Sequence, residues 1–546
     1  MRMTNQVFFV AMILLGMGMA FSRSIICQYP IDMSNAINNA LPGDTILLTD
    51  RVWGLTRIPS DRNGTLDSPI VLKALNPVPR KIDSLTTRNW NLPSAYGVII
   101  NTSNSDEGIL FSSSYWVFED IYFDGGNVSV HSFHIVAGSR GHLTYRGCCF
   151  TRCLDKYFKI NFTGYDTELF PVWADAYWPD YILIENCVAI LGIAGFVNND
   201  GSDFLTCRNN LNYGLQSGGP NYNNFSKGGV AYSIYENNVV WGGKPLGSFS
   251  LGGGSMAVPS WCGFRHDSDL CAGLPGRTYE TVNSIIRNNV IVGPGCAIQT
   301  STTMNCEAYN NTIINCATPL LVECHHGIPI GYKFYNNLLV GCGTLTTTYG
   351  QLSNNTVLTA PFSKIFQQFL LSPPPGAGIH NDYRIKPDSA TRVGTGRLPF
   401  EHSDWPAWYA LPSTEFYDLY GKVRANPPVI GAAELYDGTP LPDNIEKPDL
   451  EKQVTGIRLQ VEPNPANPST QLVLDLQSPQ PLVDVLIRDI TGHHVRSLYY
   501  GPMTAGRHAI RWDGRNHDRA PVASGVYIFR VSFGKEVLFQ KFQLVR

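Results

Sequence analysis

The sequence carries little charge: Asp, Glu, Lys and Arg together make up 16% of the 546 residues, and the formal net charge is −3. A chain this close to neutrality lacks the positive excess that gives general affinity for nucleic acid or for an anionic membrane. A locally basic groove for an acidic substrate is still compatible with that balance. Glycine and proline are abundant instead, with 51 and 36 residues, which favours an all-β, turn-rich protein of two or three domains.

Long apolar runs are also lacking outside the first residues of the chain. The stretch from Val7 to Ala20 is almost wholly apolar, follows Arg2 and ends in small residues. This pattern is typical of a secretory signal peptide, whereas a membrane-spanning helix needs about 20 apolar residues. We therefore predict a signal peptide at residues 1–22 and an exported mature chain without a membrane span.

The chain has 13 cysteines, an odd number. In an oxidising compartment, pairs of cysteines at suitable spacing form disulfides. Cys262 and Cys271 flank a polar, glycine-rich stretch and are candidates for such a bond. Several other cysteines follow a repeat that runs through the middle of the chain.

That repeat is centred on an Asn-Asn step, as in Glu-Asn-Asn-Val at 236–239 and Arg-Asn-Asn-Val at 287–290. The first residue of the step, or its equivalent, falls at positions 120, 147, 186, 209, 237, 288, 310, 336 and 354. Most intervals lie in the twenties, and those of 39 and 51 residues are the outliers. A period of about 20–29 residues is typical of leucine-rich repeats and of β-helices. Because the leucine spacing is missing, we predict a right-handed parallel β-helix over residues 27–385.

Asparagine suits the bend between two strands because it tolerates left-handed backbone angles and its amide can bond to nearby backbone. Equivalent residues in successive coils lie about 4.8 Å apart, so their amides can form a ladder. Cys153, Cys316 and Cys342 each lie six residues after the step of their own coil. We therefore expect these cysteines to be small inward-facing core residues and not metal ligands.

The mature chain opens with Asp-Met-Ser-Asn-Ala-Ile-Asn-Asn-Ala at 32–40, an amphipathic pattern followed by a turn and a strand at 42–48. This opening resembles that of secreted β-helix polysaccharide lyases of the pectate-lyase type. The resemblance implies a helix that covers the first coil, where exposed strand edges would invite aggregation. The repeats fade after about residue 360, and we predict a closing segment and linker at 386–454.

Residues 455–546 form a separate unit with its own turn motifs, among them Arg-Asp-Ile-Thr-Gly at 488–492, Trp-Asp-Gly at 512–514 and Ala-Ser-Gly-Val-Tyr at 523–527. The unit resembles FlgD-like immunoglobulin-type domains and type IX secretion sorting domains. The resemblance implies a small immunoglobulin-like β-sandwich and export by a type IX-like secretion machinery. It also implies a double-membrane bacterium that releases the protein or displays it at the cell surface.

The two long intervals of the repeat, 148–185 and 238–287, predict insertions that wall a groove along one face of the β-helix. They contain Trp173, Trp178 and Trp261, with His266 close to the last. Aromatic rings beside a groove are suited to stacking on sugars, and we regard these four residues as candidates for substrate binding. The alternative, equally compatible with the sequence, is that the aromatic side chains pack the inserted loops onto the coils.

Between the insertions, Asn-Asn-Asp-Gly-Ser-Asp at 198–203 is followed one coil later by Lys227-Gly-Gly. Asp200 and Asp203 offer the hard oxygen ligands that Ca²⁺ prefers. The arrangement resembles that of calcium-dependent pectate lyases of the β-helix type, which implies a Ca²⁺ cofactor and a catalytic lysine at 227. Asp-Gly is also an ordinary turn sequence, and a single lysine commonly lies on a solvated surface.

A lyase of that type removes the proton α to a uronate carboxylate, with a cation neutralising the developing charge and a Lys or Arg accepting the proton. Arg265 is a second catalytic candidate because a guanidinium binds a carboxylate through two hydrogen bonds. Glu280 is a further candidate for substrate binding. These residues predict an acidic polysaccharide as the partner of the protein.

Three functional classes therefore remain open. The leading hypothesis is a secreted, Ca²⁺-assisted lyase that acts on a uronate-containing glycan. The second is a non-catalytic surface adhesin or carbohydrate-binding protein that uses the same groove. A glycoside hydrolase is disfavoured because the paired aspartates and the Gly-His-Gly motif of β-helix polygalacturonases are missing from the sequence.

Overall fold

The structure is a computed structural model. It describes residues 22–77, 96–103, 107–136, 141–161, 179–192, 195–215, 222–241, 247–253, 279–293, 295–324, 328–359, 361–369, 381–396, 418–420, 422, 424–425, 428–438, 457–464, 466–476, 480–489, 494–516, 520–533 and 536–545. Strands are numbered below in chain order. None of the helices within these residues has the length and apolar character needed to cross a membrane.

Three long parallel sheets form the body of the protein, and a complete coil gives one strand to each sheet. In the described residues, sheet 1 has twelve strands: β1 (Ser24–Cys27), β2 (Thr45–Leu48), β5 (Ile70–Ala74), β8 (Trp116–Glu119), β11 (Leu143–Arg146), β14 (Ile182–Glu185), β17 (Thr206–Arg208), β21 (Ile234–Glu236), β25 (Ile285–Arg287), β29 (Glu307–Tyr309), β32 (Lys333–Tyr335) and β34 (Gln351–Ser353).

Over the same residues, sheet 2 has nine strands: β4 (Arg57–Ile58), β7 (Ile109–Phe111), β10 (His131–Ile135), β13 (Lys156–Asn161), β16 (Gly195–Asp200), β19 (Tyr222–Lys227), β23 (Gly247–Leu251), β27 (Cys296–Ser301) and β31 (Thr318–Glu323). Sheet 3 has eleven: β3 (Arg51–Gly54), β6 (Val98–Asn101), β9 (Tyr122–Asp124), β12 (Cys149–Thr151), β15 (Val188–Gly192), β18 (Leu211–Leu215), β22 (Val239–Trp241), β26 (Val290–Val292), β30 (Thr312–Ile314), β33 (Leu338–Val340) and β35 (Thr356–Leu358). A small parallel sheet joins β20 (Val230–Ala231), β24 (Thr281–Val282) and β28 (Thr303–Met304). The predicted parallel β-helix is confirmed.

The Asn-Asn step turns the chain from sheet 1 into sheet 3. Its first residue makes the bend, and its second residue forms hydrogen bonds between coils. All nine first positions have positive φ, between 50° at Asn354 and 60° at Asp120 and Gly147. The second residues point inward and form a ladder in which each amide donates to the next at 3.0 Å, from Asn210 to Asn355. The predicted left-handed bend and amide ladder are therefore both confirmed.

The interior is filled by side chains that stack on equivalents in the next coil, such as Phe118 on Tyr145, with ring centres 5.0 Å apart. Cys153 and Cys316 lie in this core, and Cys342 packs against it, which confirms the inward orientation predicted for them. Burial raises the pKa of the Cys153 thiol to about 12, so this thiol stays protonated at neutral pH. Cys262 and Cys271 lie outside the described residues.

The coils are covered at their start and along one side. Helix α1 (Pro30–Asn38) buries Met33 and Ile37 in the same core and caps the first coil, as predicted. Past the last coil strand the chain forms 3₁₀ turns at Phe362–Lys364 and Pro387–Ser389, the antiparallel pair β36 (Phe366–Gln368) and β37 (Asp382–Ile385), and helix α2 (Ala390–Val393).

This closing segment packs on the outer side of sheet 3, where outward valines of β22 and β26 would otherwise meet water. Its buried Arg424 donates to Asn288 Oδ1 at 2.7 Å and pairs with Glu434 at 3.1 Å. Ala432 N donates to Thr312 Oγ1 at 2.8 Å. The segment therefore belongs to the β-helix domain as a side cover.

The C-terminal unit has two antiparallel sheets packed around one core. The first contains β38 (Ile457–Glu462), β39 (Thr470–Leu476) and β42 (Gly506–Trp512). The second contains β40 (Gln480–Asp489), β41 (His494–Met503), β43 (Gly525–Phe533) and β44 (Glu536–Leu544). Trp512, from the first sheet, contacts Tyr527 and Phe542 of the second, with ring centres 5.2 and 5.5 Å apart. The immunoglobulin-like sandwich predicted for this unit is confirmed.

Candidate functional site

The outward side of sheet 2 carries a group of lysine, aspartate and histidine side chains that could take part in binding or catalysis. Strand pairing places one row of outward positions in register across eight coils: Leu110, His134, Lys159, Asn198, Phe225, Ser250, Gln299 and Leu321. Asn198, Phe225, Ser250 and Gln299 are buried although they face away from the core. This row therefore lies in a sheltered surface, where charges interact more strongly than in open water.

A charge cluster of Lys159, Asp200 and Lys227 occupies the middle of this surface. Asp200 ends β16, and its Cα pairs in register with that of Lys227 at the end of β19. Lys159, on the preceding coil, donates from Nζ to Asp200 Oδ2 at 2.5 Å. Lys227 Nζ lies 3.6 Å from Asp200 Oδ1. Three successive coils are thus joined through one carboxylate held between two ammonium groups.

The cluster is partly closed to solvent. The side chains of Lys159, Asp200 and Lys227 are 17%, 13% and 10% exposed. The ammonium group of Lys227 also lies over the ring of Phe225, 4.9 Å from its centre, which is a favourable cation–π distance. Two ammonium groups and one carboxylate thus lie together on the outward side of sheet 2.

Asp203 forms hydrogen bonds with neighbouring coils. Its Oδ1 accepts from Ala231 N at 2.7 Å, and its own N–H donates to Asp180 Oδ1 at 2.9 Å. Glu280 is similarly engaged, since its Oε2 accepts from Gly253 N at 2.7 Å. The structure therefore brings Asp200 and Lys227 together as the sequence predicted, and gives Asp203 and Glu280 hydrogen bonds that hold adjacent coils.

The fit of this region to Ca²⁺ is limited. The ion takes six to eight oxygen ligands at about 2.3–2.6 Å, whereas both oxygens of Asp200 face lysine ammonium groups. Within the described ranges, Asp200 and Asp203 belong to no group of three acidic, histidine or cysteine side chains whose donor atoms lie within 4.8 Å of one another. We derive no chemical step through a calcium ion at these residues.

The remaining predicted site residues fall outside the part of the chain that the structure describes: Arg265 and His266, and Trp173, Trp178 and Trp261. Lys159 was missed by the sequence reasoning. Its signal is the spacing Lys156-x-x-Lys159 on a strand within the first long interval. Register with β16, which places Lys159 diagonally beside Asp200, could be read only once the coils were aligned.

A second polar group lies further towards the N-terminus on the same sheet. His134 is the in-register neighbour of Lys159, and His131 precedes it on β10. Burial, together with the nearby His134, lowers the pKa of His131 to about 4, so this imidazole is neutral at pH 7. Glu107 Oε2 accepts from His134 Nδ1 at 2.6 Å.

Comparison with known proteins matches residues 463–536 to the FlgD Ig-like domain family. Curated proteins give no match to the chain. Among solved structures, an alginate lyase from Paenibacillus sp. is 14% identical, covering 62% of this chain and 99% of its own, with a TM-score of 0.33. A polygalacturonase from Erwinia carotovora is 11% identical over 62% of this chain and 93% of its own, with a TM-score of 0.37.

A polysaccharide lyase of family PL6 from Pseudopedobacter saltans is 10% identical, covering 66% of this chain and 100% of its own, with a TM-score of 0.30. At these identities and TM-scores we base no argument about this chain on the three structures. The sheets of the chain itself show a parallel β-helix protein, and its C-terminal part is similar to FlgD Ig-like domains.

Proposed function

We propose that the protein is a polysaccharide lyase that binds a uronate-containing glycan along the outward side of sheet 2 and cleaves it by β-elimination. The observation that carries the proposal is the cluster of Lys159, Asp200 and Lys227, which offers two ammonium groups on neighbouring coils of a sheltered surface. Carboxylated sugars carry the opposite charge, and the parallel coils repeat in the direction in which an extended polymer would run.

The two lysines are suited to different roles. Lys159 is held to Asp200 at 2.5 Å and can keep its charge to stabilise the negative charge that develops on the uronate carboxylate. Lys227 contacts the same carboxylate at the longer distance of 3.6 Å, and in its neutral form can accept the α-proton. The C–H bond α to the carboxylate and the glycosidic C–O bond break and a C=C bond forms. The leaving oxygen takes a proton from water, and Lys227 later releases the α-proton to water.

Calcium assistance and a contribution from Arg265 remain predictions within this proposal. A calcium ion at Asp200 would have to replace at least one of its lysine contacts. Treatment of the purified protein with EDTA, followed by readdition of Ca²⁺, tests this prediction. Activity that survives EDTA would assign charge neutralisation to the ammonium group of Lys159.

The activity assay follows the ultraviolet absorbance of unsaturated uronates on a panel of pectate, alginate and glycosaminoglycans. A general base contributes about 10²- to 10⁴-fold in rate, so we expect Lys227→Met to lose activity by that factor. Lys333→Met is the matched control, because Lys333 is also partly buried and lies 3.7 Å from Glu307, but on sheet 1. An equal loss in both variants would reduce the role of Lys227 to folding.

The absence of product on every acidic glycan, with folded protein, would contradict the lyase proposal. Retained binding in that case, abolished by Lys227→Met and unchanged by Lys333→Met, would favour the carbohydrate-binding or adhesin function. The two outcomes are separated by measuring glycan affinity and product formation on the same preparations.

We further propose that residues 455–546 direct export through a type IX-like secretion machinery, to the medium or to the surface of a double-membrane bacterium. Support comes from the similarity of residues 463–536 to FlgD Ig-like domains. Deleting residues 455–546 should leave the protein inside the cell, and fusing them with the signal peptide to a reporter should export the reporter. Export of the truncated chain would contradict this role.

A further inference from the structure

Three side chains near the start of sheet 2 gather metal-ligand atoms in one place. Glu107, His131 and His134 each offer one donor atom, and the three atoms lie within 4.8 Å of one another. In the described residues this is the one such group of three or more histidine, cysteine or acidic side chains. It belongs to two neighbouring coils, since Glu107 comes just before β7 and the histidines lie on β10.

Two adjacent inward-facing residues of β10 explain why two histidines three positions apart face the same way. Successive side chains of a flat strand alternate between its faces, so positions i and i+3 normally point to opposite sides. Here Ser132 contacts the core thiol of Cys153 at 3.1 Å, and the adjacent Phe133 is also in the core. The residues on either side of this inward pair, His131 and His134, then share the outward side with ring centres 5.4 Å apart.

Hydrogen bonding fixes which nitrogen of His131 is available. Nδ1 lies 3.3 Å from the carbonyl oxygen of Lys156. A carbonyl only accepts, so Nδ1 carries the hydrogen and Nε2 keeps its lone pair. A histidine whose second ring nitrogen donates to a backbone carbonyl is the arrangement found around protein metal sites, where it orients the ring and makes it a better ligand.

We propose that Glu107, His131 and His134 bind a divalent transition-metal ion of the zinc class. In the metal-free protein His134 Nδ1 and Glu107 Oε2 share a hydrogen bond of 2.6 Å, and the ion takes the place of the proton between them. Tetrahedral bonds of about 2.0–2.1 Å put ligand atoms roughly 3.3 Å apart. The carboxylate can make this small movement because the Glu107 side chain is 57% exposed.

The donor set indicates the class of ion. Two imidazole nitrogens and one carboxylate suit Zn²⁺ and its neighbours in the first transition row, whereas Ca²⁺ and Mg²⁺ take oxygen ligands. Three protein ligands leave a fourth position for water, as in zinc sites that bind a reactant. Of the nearby cations, Lys159 is bound by Asp200 at 2.5 Å and Lys156 lies 3.9 Å from Asp155, so neighbouring carboxylates partly balance both charges.

The test is titration of Zn²⁺ into the full chain by calorimetry, after chelator treatment. Cys324→Ser serves as the parent, because Cys324 is exposed and could itself bind the ion. Loss of an outer-shell partner typically costs 10- to 100-fold in affinity, so we expect losing a ligand in Glu107→Gln or His131→Ala to weaken binding at least about 100-fold. His508→Ala is the control, since His508 lies in the C-terminal unit and donates from its ring to the carbonyl oxygen of Thr504.

A second readout uses Co²⁺, whose visible absorption reports a tetrahedral environment with nitrogen ligands. The proposal predicts one such ion in the parent and in His508→Ala, and its loss in Glu107→Gln. Because Glu107 is exposed, this variant should unfold at the same denaturant concentration as the parent. Equal Zn²⁺ affinity in Glu107→Gln and the parent, or no Co²⁺ spectrum in the parent, would overturn the proposal.

Discussion

The carboxylate of Asp200 lies between the ammonium groups of Lys159 and Lys227, and its removal gives a sharp prediction. Asp200→Asn leaves two ammonium groups facing a neutral amide in a sheltered surface. Removing one partner of a buried pair costs about 3–5 kcal/mol, whereas an exposed pair is worth about 0–1 kcal/mol. With side chains 10–17% exposed, we expect a loss of about 2–3 kcal/mol in the free energy of unfolding.

A double-mutant cycle with Lys159→Met isolates the pairwise part of this effect. Urea unfolding of the wild type, both single variants and the double variant should give a coupling of about 1–2 kcal/mol, within the range for residues in one ion-pair network. Asp437→Asn is the control, because Asp437 pairs with Lys422 at 2.9 Å and both side chains are more than 40% exposed. We expect it to change stability by less than about 1 kcal/mol. A coupling near zero would refute the view that Asp200 holds the lysines in place.

Three further predictions concern the ladder, a buried imidazole and the thiols. Asn289→Ala removes the side-chain acceptor of Asn238 and leaves the Tyr235 carbonyl without its amide donor, so urea unfolding should show a loss of about 2–4 kcal/mol. Because the pKa of His131 falls from 6.5 to about 4 on folding, the unfolded chain binds a proton that the native chain does not between these pH values. Stability should therefore fall by up to about 3 kcal/mol as pH drops through this window, and His131→Gln should remove that component. A thiol reagent should modify exposed Cys324 before the buried cysteines, which react only on unfolding.

For each of these three predictions, one experimental outcome would contradict the physical reason given. Equal losses from Asn289→Ala and from Asn355→Ala, at the half-buried last rung of the ladder, would show that the ladder contributes little beyond local bonds. Superimposable pH profiles of chelator-treated wild type and His131→Gln would contradict the buried neutral imidazole. Modification of Cys153 as fast as Cys324 in native protein would contradict the packing of the coil interior.

The repeat allowed much of the fold to be predicted because its physical cause is local. A left-handed bend recurs once in each coil, and asparagine, aspartate or glycine marks it at every one of the nine positions. The same register placed the core cysteines and brought Asp200 next to Lys227. These predictions depend only on spacing along the chain, which a sequence displays directly.

Other parts of the site depend on which way a side chain turns. The spacing of Asp203 predicts a metal ligand, but its carboxylate accepts a hydrogen bond from the backbone N–H of Ala231 in the next coil. In the sequence, nothing distinguishes Lys159 from a surface lysine. Its proximity to Asp200 becomes visible only when β13 and β16 are aligned. The outward placement of His131 together with His134 requires Ser132 and Phe133 both to face inward, because simple alternation along a strand would separate the two histidines.

The closing segment shows a similar limit at the level of domains. Its sequence predicts a closing segment and linker at 386–454, and the described part of it packs against outward apolar residues of sheet 3. Those residues, such as Val290 and Val292, appear in the sequence as part of a continuous apolar run. A run of this kind predicts burial on both faces of a strand, but not which segment provides the second cover.

The most direct test of the proposed function is the chemical nature of the product. Wild-type protein is incubated with each acidic glycan of the panel, and the masses of the released oligosaccharides are determined by mass spectrometry. β-Elimination predicts fragments with an unsaturated uronate, lighter by one water than the corresponding hydrolysis products, and at least about 100-fold fewer of them from Lys227→Met. Saturated fragments, or equal yields of unsaturated fragments from wild type and Lys227→Met, would contradict the account.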